Sequence, residues 1–205
     1  MMSDIRLKNI LIKYESAIQS FFKWRLESTF ANKFALALGF ACLIGILAQL
    51  RFYLPFTPVP VTGQVFGVLL SGVMLGRWYG GMSQGIYAGL GAAGVPWFAG
   101  LSGGVNVLTG VTGGYIIGFI AASLIIGWFA DGYDRSFKRM LALMLVGIAV
   151  IYLFGVVQIS LVMNVGMQKA IELGALPFIG VDVYKALIAA TIATAITPKN
   201  KIGIE

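Results

Sequence analysis

Two charged residues, Asp182 and Lys185, stand three positions apart in the apolar stretch "GVDVYKALIAATIATA" (180–195). Residues three apart on a helix share a face and can touch. Ionisable side chains inside long apolar helices are costly, and they mark binding or transport sites by default. A lysine offers a positive charge to a carboxylate or phosphate, and an aspartate accepts from N–H donors. The pair therefore predicts a site for an anionic or amide-bearing small molecule; the alternative is a structural ion pair whose charges neutralise each other.

Three more polar residues are expected at the same level as this pair. Gln64 begins an apolar stretch, Asn106 ends an uncharged loop, and Tyr87 adds a hydroxyl within a third stretch. A mostly apolar pocket with a few convergent polar groups suits a small amphiphilic ligand. Aromatic residues that could form its walls are Phe52, Tyr53, Phe56, Trp97 and Phe98.

The composition requires a membrane environment. Hydrophobic residues make up 59% of the 205 residues and charged residues only 11%, whereas about a quarter of a soluble protein is charged. Several apolar stretches approach the roughly 20 residues that cross a bilayer. We predict an all-α integral membrane protein, a compact bundle of six transmembrane helices. The predicted spans are 34–50, 61–76, 79–94, 108–130, 140–166 and 178–197.

The basic residues predict the orientation of these spans. With both termini in the cytoplasm, the outer segments carry only Arg51 and Lys169, as the positive-inside rule requires. Lys185 falls within the membrane. The basic residues lie between apolar segments rather than on one solvated face, so no nucleic-acid partner is predicted. The cytoplasmic set is Arg6, Lys8, Lys13, Lys23, Arg25, Lys33, Arg77, Arg135, Lys138, Arg139, Lys199 and Lys201.

The residue inventory excludes most catalytic chemistry. The chain has no histidine and a single cysteine, Cys42, which rules out Ser-His-Asp hydrolysis and an intramolecular disulfide. One intramembrane carboxylate leaves no acid–base pair, so no enzyme, cofactor or metal site is predicted. No phosphate-binding loop is present, so any ATPase that drives transport is another polypeptide.

Two domains are expected. Residues 1–33 have apolar positions at helical spacing with basic residues between them, which predicts an amphipathic helix at the cytoplasmic membrane surface; a helix docked on the protein is the alternative. Residues 34–205 form the membrane domain. Two proline- and glycine-rich segments, 51–62 and 94–106, cannot be continuous helix. They are predicted to wall or cover an outward-facing pocket.

Four unusual motifs follow one another along the chain: "LPFTPVPVTGQVFGVLLSGVMLG", "GIYAGLGAAGVPWFAGLSGG", "TGVTGGYIIGF" and "LGALPFIGVDVYK". In this order they resemble the BioY family, the biotin-specific substrate-binding (S) components of energy-coupling factor (ECF) transporters. The resemblance implies capture of biotin at the outer side of a prokaryotic plasma membrane, and uptake with a transmembrane coupling (T) subunit and two cytosolic ATPases. The alternatives are a different vitamin on the same scaffold and a gradient-driven transporter with Asp182 as its proton site.

The resemblance also assigns residues. It places Asp182, Lys185 and Asn106 against biotin, and charge matching suggests Lys185 for the carboxylate and the other two for the ureido group. An Ala-xxx-Ala pattern that contacts the coupling subunit maps onto Ala37 and Ala41. Gln158 stands where the family pattern has an aromatic residue, and we expect it to bond a neighbouring helix.

Overall fold

Long apolar runs, broken at glycine and proline, set where the helices begin and end. A computed structural model describes residues 2–132 and 136–198, and most of them are helical. Arg135, Lys199 and Lys201 of the predicted cytoplasmic set lie outside the described residues. The elements are α1 (Met2–Glu27), α2 (Phe30–Gln49), β1 (Arg51–Phe52), β2 (Val61–Thr62), α3 (Gln64–Ala92), α4 (Val105–Thr109), α5 (Gly113–Gly132), α6 (Phe137–Met163), α7 (Met167–Gly174), a 3-10 turn (Leu176–Phe178) and α8 (Ile179–Ile196).

Helix α3 folds back on itself at Gly76. This residue has φ 75° and ψ −177°, a left-handed conformation that favours glycine. The Gln64 Nε2 and Tyr87 OH atoms lie 2.8 Å apart, although 23 residues of straight helix would span about 35 Å. The halves 64–75 and 77–92 therefore run antiparallel, and they correspond to the second and third predicted spans.

Four helical segments of the described chain are long and apolar enough to cross a membrane: Phe30–Gln49, Gly113–Ala130, Phe137–Met163 and Met167–Ile196. The predicted fourth span begins five residues too early. Gly110 is extended, with φ −81° and ψ −174°, so residues 105–109 form the separate helix α4.

Helix α5 packs closely against both halves of α3 because small residues line their contact. A Cβ on Gly72 would lie 2.9 Å from the Ile126 side chain. A buried polar layer joins the same elements, since Gln84 Nε2 donates to Ser71 Oγ at 2.9 Å and the Ser71 and Ser123 hydroxyls are 2.9 Å apart. Interhelical hydrogen bonds of this kind hold membrane bundles together, where water exclusion contributes little.

The two proline- and glycine-rich segments are irregular, as predicted. In the first, β1 and β2 pair antiparallel through Arg51–Thr62 and Phe52–Val61. The second is held to α2 by Gln49, whose Nε2 donates to the carbonyls of Trp97 and Phe98 at 3.2 and 3.1 Å. Both segments lie at the end of the bundle where α2 finishes and α3, α5 and α8 begin.

Helix α1 is present but ends at Glu27, short of the predicted residue 33. Arg25 Nη1 donates to the Met74 carbonyl at 2.9 Å, and Tyr14 OH donates to the Ala195 carbonyl at 3.0 Å. These contacts put α1 beside the Gly76 turn and the end of α8. The beginning and the end of the described chain therefore meet at the same end of the bundle, opposite the two irregular segments.

The structure buries both residues that were predicted to contact the coupling subunit from α2. Ala37 and Ala41 are fully buried within the chain, so neither has surface left for another subunit. The outward face of the same helix instead carries Ala31, Ala35 and Gly39, all exposed. Small residues four apart occur on two faces of α2, and their spacing alone does not tell which face points inward.

Candidate ligand-binding site

A cavity of about 320 Å³ opens at the end of the bundle where α3, α5 and α8 begin. Its volume is at the lower end of the range for small-molecule sites. Its wall is formed by β2, α3, α4, α5, α6, the 3-10 turn and α8, together with the irregular segments between them. The polar residues that line it are Tyr53, Thr62, Gln64, Ser102, Asn106, Thr112, Tyr115, Tyr152, Asp182 and Lys185, and among the apolar ones are Val59, Val61, Val65, Phe98, Val107, Ile116, Phe119 and Phe178.

Asp182 and Lys185 form an ion pair at the wall of this cavity. The 3-10 turn at Pro177 leads directly into α8, which places Asp182 in the first turn of that helix. Lys185 Nζ lies 2.7 Å from Asp182 Oδ1, and the two side chains are only 15% and 5% exposed. Lys185 Nζ also donates to the Thr62 carbonyl at 2.7 Å, which ties α8 to the end of the first irregular segment.

Tyr152 of α6 completes the environment of the carboxylate. Its hydroxyl donates to Asp182 Oδ2 at 2.6 Å, so each carboxylate oxygen has a different donor. The sequence analysis missed this residue. A tyrosine within an apolar span is most often a packing residue. The sequence around Tyr152 gives no sign that its partner is Asp182, 30 positions further along the chain.

The three side chains keep hydrogen-bonding capacity for a ligand. An ammonium group has three donors, and Lys185 uses two of them within the chain. A carboxylate offers about four acceptor positions, and Lys185 and Tyr152 occupy two of those on Asp182. The site thus offers one N–H donor and two acceptor positions, while Asp182 and Lys185 together carry no net charge.

The remaining predicted site residues divide into two groups. Asn106 is exposed at the cavity, and its side-chain amide has no partner within the described part of the chain. Gln64 also lines the cavity, but its Oε1 accepts from Thr62 Oγ1 at 2.9 Å and its Nε2 is bound to Tyr87. Asn106 is therefore open to a ligand, whereas Gln64 is already engaged on both sides.

The structure places Tyr87 in the interior of the chain. Its side chain is fully buried and lies outside the cavity wall. The ring packs against Trp97 and Phe98, with centroid distances of 5.3 and 5.2 Å, and the hydroxyl donates to the Trp97 carbonyl at 3.3 Å. The α3 hairpin turns Tyr87 toward Trp97 and Phe98 and away from the cavity. There its hydroxyl is bonded to Gln64, which does line the cavity.

Comparison with known proteins identifies the family. The model of the BioY family matches residues 17–201. The chain belongs to the BioY family.

Several BioY relatives match most of the chain. The probable biotin transporter BioY of Methanothermobacter thermautotrophicus is 46% identical over 145 residues, which are 66% of this chain and 92% of the relative. That of Pyrococcus horikoshii is 44% identical over 163 residues, 80% of this chain and 94% of the relative. The crystal structure of the S-component for biotin from an ECF-type ABC transporter superposes with a TM-score of 0.74 at 26% identity, covering 80% of this chain and 89% of the other.

In this BioY protein, two side chains hold the loops around the cavity. Gln158 of α6 donates from Nε2 to the carbonyls of Leu108 and Gly110 at 2.7 and 2.6 Å, so it bonds a neighbouring segment, as expected. Thr57 Oγ1 donates to the Leu173 carbonyl at 2.7 Å and fixes the first irregular segment to α7. Neither side chain lines the cavity, but both hold segments that form its wall.

Proposed function

We propose that this BioY protein captures biotin from the outer side of the membrane and takes it up as the S component of an ECF-type ATP-driven transporter. The observation that carries the proposal is the Asp182–Lys185–Tyr152 group on the wall of an otherwise largely apolar cavity. Biotin has the same division: an apolar bicycle and chain, with a ureido head that both donates and accepts. The relatives named as biotin transporters support the substrate.

The charges in the cavity favour the ureido head, rather than the carboxylate, against the ion pair. Asp182 and Lys185 already neutralise each other at 2.7 Å. Adding a carboxylate would leave one uncompensated negative charge in a poorly solvated site, which is costly. A ureido group brings no charge: its oxygen accepts the remaining Lys185 donor and its N–H donates to Asp182. The carboxylate then lies toward Asn106 and solvent, which revises the pairing suggested by charge matching alone.

The distribution of basic residues supports an outward-facing cavity. At the cavity end stand Arg51 and Lys169, and Lys169 is paired with Glu172 at 2.9 Å. The opposite end carries most of the basic residues that the structure describes, and such an excess favours the cytoplasmic side. Six spans, with the α3 hairpin counted as two, then leave both termini in the cytoplasm. The basic residues of that end are Arg6, Lys8, Lys13, Lys23, Arg25, Lys33, Arg77, Lys138 and Arg139.

From the same orientation we propose where the two expected domains and the partner subunits lie. Helix α1 lies at the cytoplasmic end as part of the 1–33 unit, beside the membrane domain 34–205. ATP hydrolysis belongs to two partner ATPases, and a coupling subunit transmits it. The exposed Ala31, Ala35 and Gly39 face of α2 allows close approach of another helix in lipid, so we assign the coupling contact there.

A ligand titration of purified protein in detergent tests the substrate. We expect saturable binding of biotin and none of thiamine or riboflavin. Biotin amide, which lacks the carboxylate charge, is expected to bind within a few-fold of biotin, whereas methylation of a ureido nitrogen is expected to weaken binding strongly. Tight binding of thiamine or riboflavin would refute the substrate, and strong loss with the amide alone would refute the orientation.

Uptake by cells tests the mode of transport. We expect accumulation of labelled biotin to require the coupling subunit and ATPases. Uptake that persists without them and falls on addition of a protonophore would support the gradient-driven alternative instead.

A further inference from the structure

The carboxylate of Asp182 is held by two helices at once. Its Oδ1 accepts from Lys185 on α8, and its Oδ2 accepts from Tyr152 on α6, at 2.7 and 2.6 Å. Tyr152 is also the one cavity-lining residue that α6 contributes among the described residues. The side chain that orients the carboxylate therefore comes from a different helix than the ion pair itself.

Without this hydroxyl, no second hydrogen bond described in the chain would fix the plane of the carboxylate. Lys185 holds one oxygen, and the group could rotate to present both oxygens to the same ammonium. That rotation would turn the remaining acceptor positions away from the cavity. Because a hydroxyl bonded to a carboxylate is among the stronger hydrogen bonds, Tyr152 opposes the rotation.

We propose that Tyr152 is a positioning residue for ligand binding: it fixes Asp182 so that the carboxylate's free acceptor positions face the cavity. This inference rests on the proposed function. The alternative is a purely structural tie between α6 and α8, since interhelical hydrogen bonds also stabilise membrane bundles. The two roles differ in what is lost with the hydroxyl: a positioning role weakens biotin binding by the folded protein, whereas a purely structural tie lowers the unfolding temperature and leaves the affinity of the folded protein unchanged.

Biotin titration of the folded variants separates the two roles, and a double-mutant cycle tests whether Tyr152 acts through Asp182. Tyr152→Phe removes one oxygen and is expected to weaken biotin binding by roughly ten- to a hundredfold, the range for a hydrogen bond to a charged group. If Tyr152 acts through Asp182, the double variant Tyr152→Phe/Asp182→Asn binds no more weakly than Asp182→Asn alone. Tyr184→Phe is the matched control, since Tyr184 lies on α8 between the pair but is 65% exposed; it is expected to bind like the wild type.

A second pair of variants covers the case in which Tyr152→Phe does not fold. Tyr152→Gln and Tyr152→Leu have similar volumes, but only glutamine supplies an N–H donor. We expect tighter biotin binding by the glutamine variant. Wild-type affinity in Tyr152→Phe, additive losses in the cycle, or equal affinities of the glutamine and leucine variants would each overturn the inference. Failure of the wild-type protein to bind biotin would instead overturn the proposed function.

Discussion

Removing one charge of the buried pair should cost far more stability than removing both. In Lys185→Met, the Asp182 carboxylate keeps only the Tyr152 hydroxyl as a partner, although Asp182 is only 3% exposed. Leaving one member of a buried ion pair alone costs about 3–5 kcal/mol, whereas replacing both members by uncharged residues is often close to neutral. The double variant Asp182→Asn/Lys185→Met should therefore recover most of the lost free energy of unfolding.

Biotin binding should not recover with stability. The double variant has no ammonium donor for a ureido oxygen and a weaker, neutral acceptor for a ureido N–H. We therefore expect impaired biotin binding in both single variants and in the double variant. A recovery of folding without a recovery of binding would separate the structural role of the pair from its role in the site.

Thermal unfolding in detergent and biotin titration of the same preparations are the two measurements. Lys169→Met is a matched control, because Lys169 and Glu172 form an exposed pair with the same three-residue spacing, and exposed pairs contribute little. If the double variant binds biotin like the wild type, the pair is structural and the site proposal is wrong. If Lys185→Met and the double variant unfold at the same temperature, Asp182 is not electrostatically dependent on Lys185.

Two further substitutions test the loops around the cavity. Gly91→Ala places a methyl group into the ring of Phe98, which is 1% exposed and lines the cavity, so the ring has to shift. We expect a lower unfolding temperature and weaker biotin binding. Gly85→Ala, whose added methyl group meets nothing within 4 Å, is the control. Gln158→Leu takes the side-chain donor from the Leu108 and Gly110 carbonyls, of which Gly110 still accepts from Gly113 N–H at 3.2 Å. We expect about 1–3 kcal/mol of lost stability and weaker biotin binding, and unchanged titrations would show that this segment keeps its shape without the Gln158 side chain.

The sequence allowed the membrane class, most helix positions and the central ion pair to be predicted, because each depends on local features. Apolar runs require helices in lipid, and a charged pair inside such a run is conspicuous against its neighbours. The α3 hairpin was also foreseeable in outline, since "GRWYGG" at 76–81 leaves almost no loop between two apolar stretches. The positive φ of Gly76 explains how so short a connection reverses the chain.

Sequence and structure differ most where a prediction needed to know which face of a helix points inward. Ala37 and Tyr87 were assigned to a partner surface and to the ligand, respectively, yet both are fully buried. In a span that is apolar all round, periodicity does not distinguish the core face from the lipid face. Tyr152 was missed for the related reason that its partner lies 30 residues away on another helix.

The geometry of the pair also bears on what kind of ligand the cavity accepts. Before any ligand arrives, Lys185 has two partners and both oxygens of Asp182 have a donor, so neither charge needs a ligand in order to be tolerated. A ligand with a charged head would compete with this pairing, and separating a buried pair is costly. A neutral head with a donor and an acceptor adds hydrogen bonds without breaking any. We therefore expect the ion pair to favour a head group that is polar but uncharged, because the pair is already neutral.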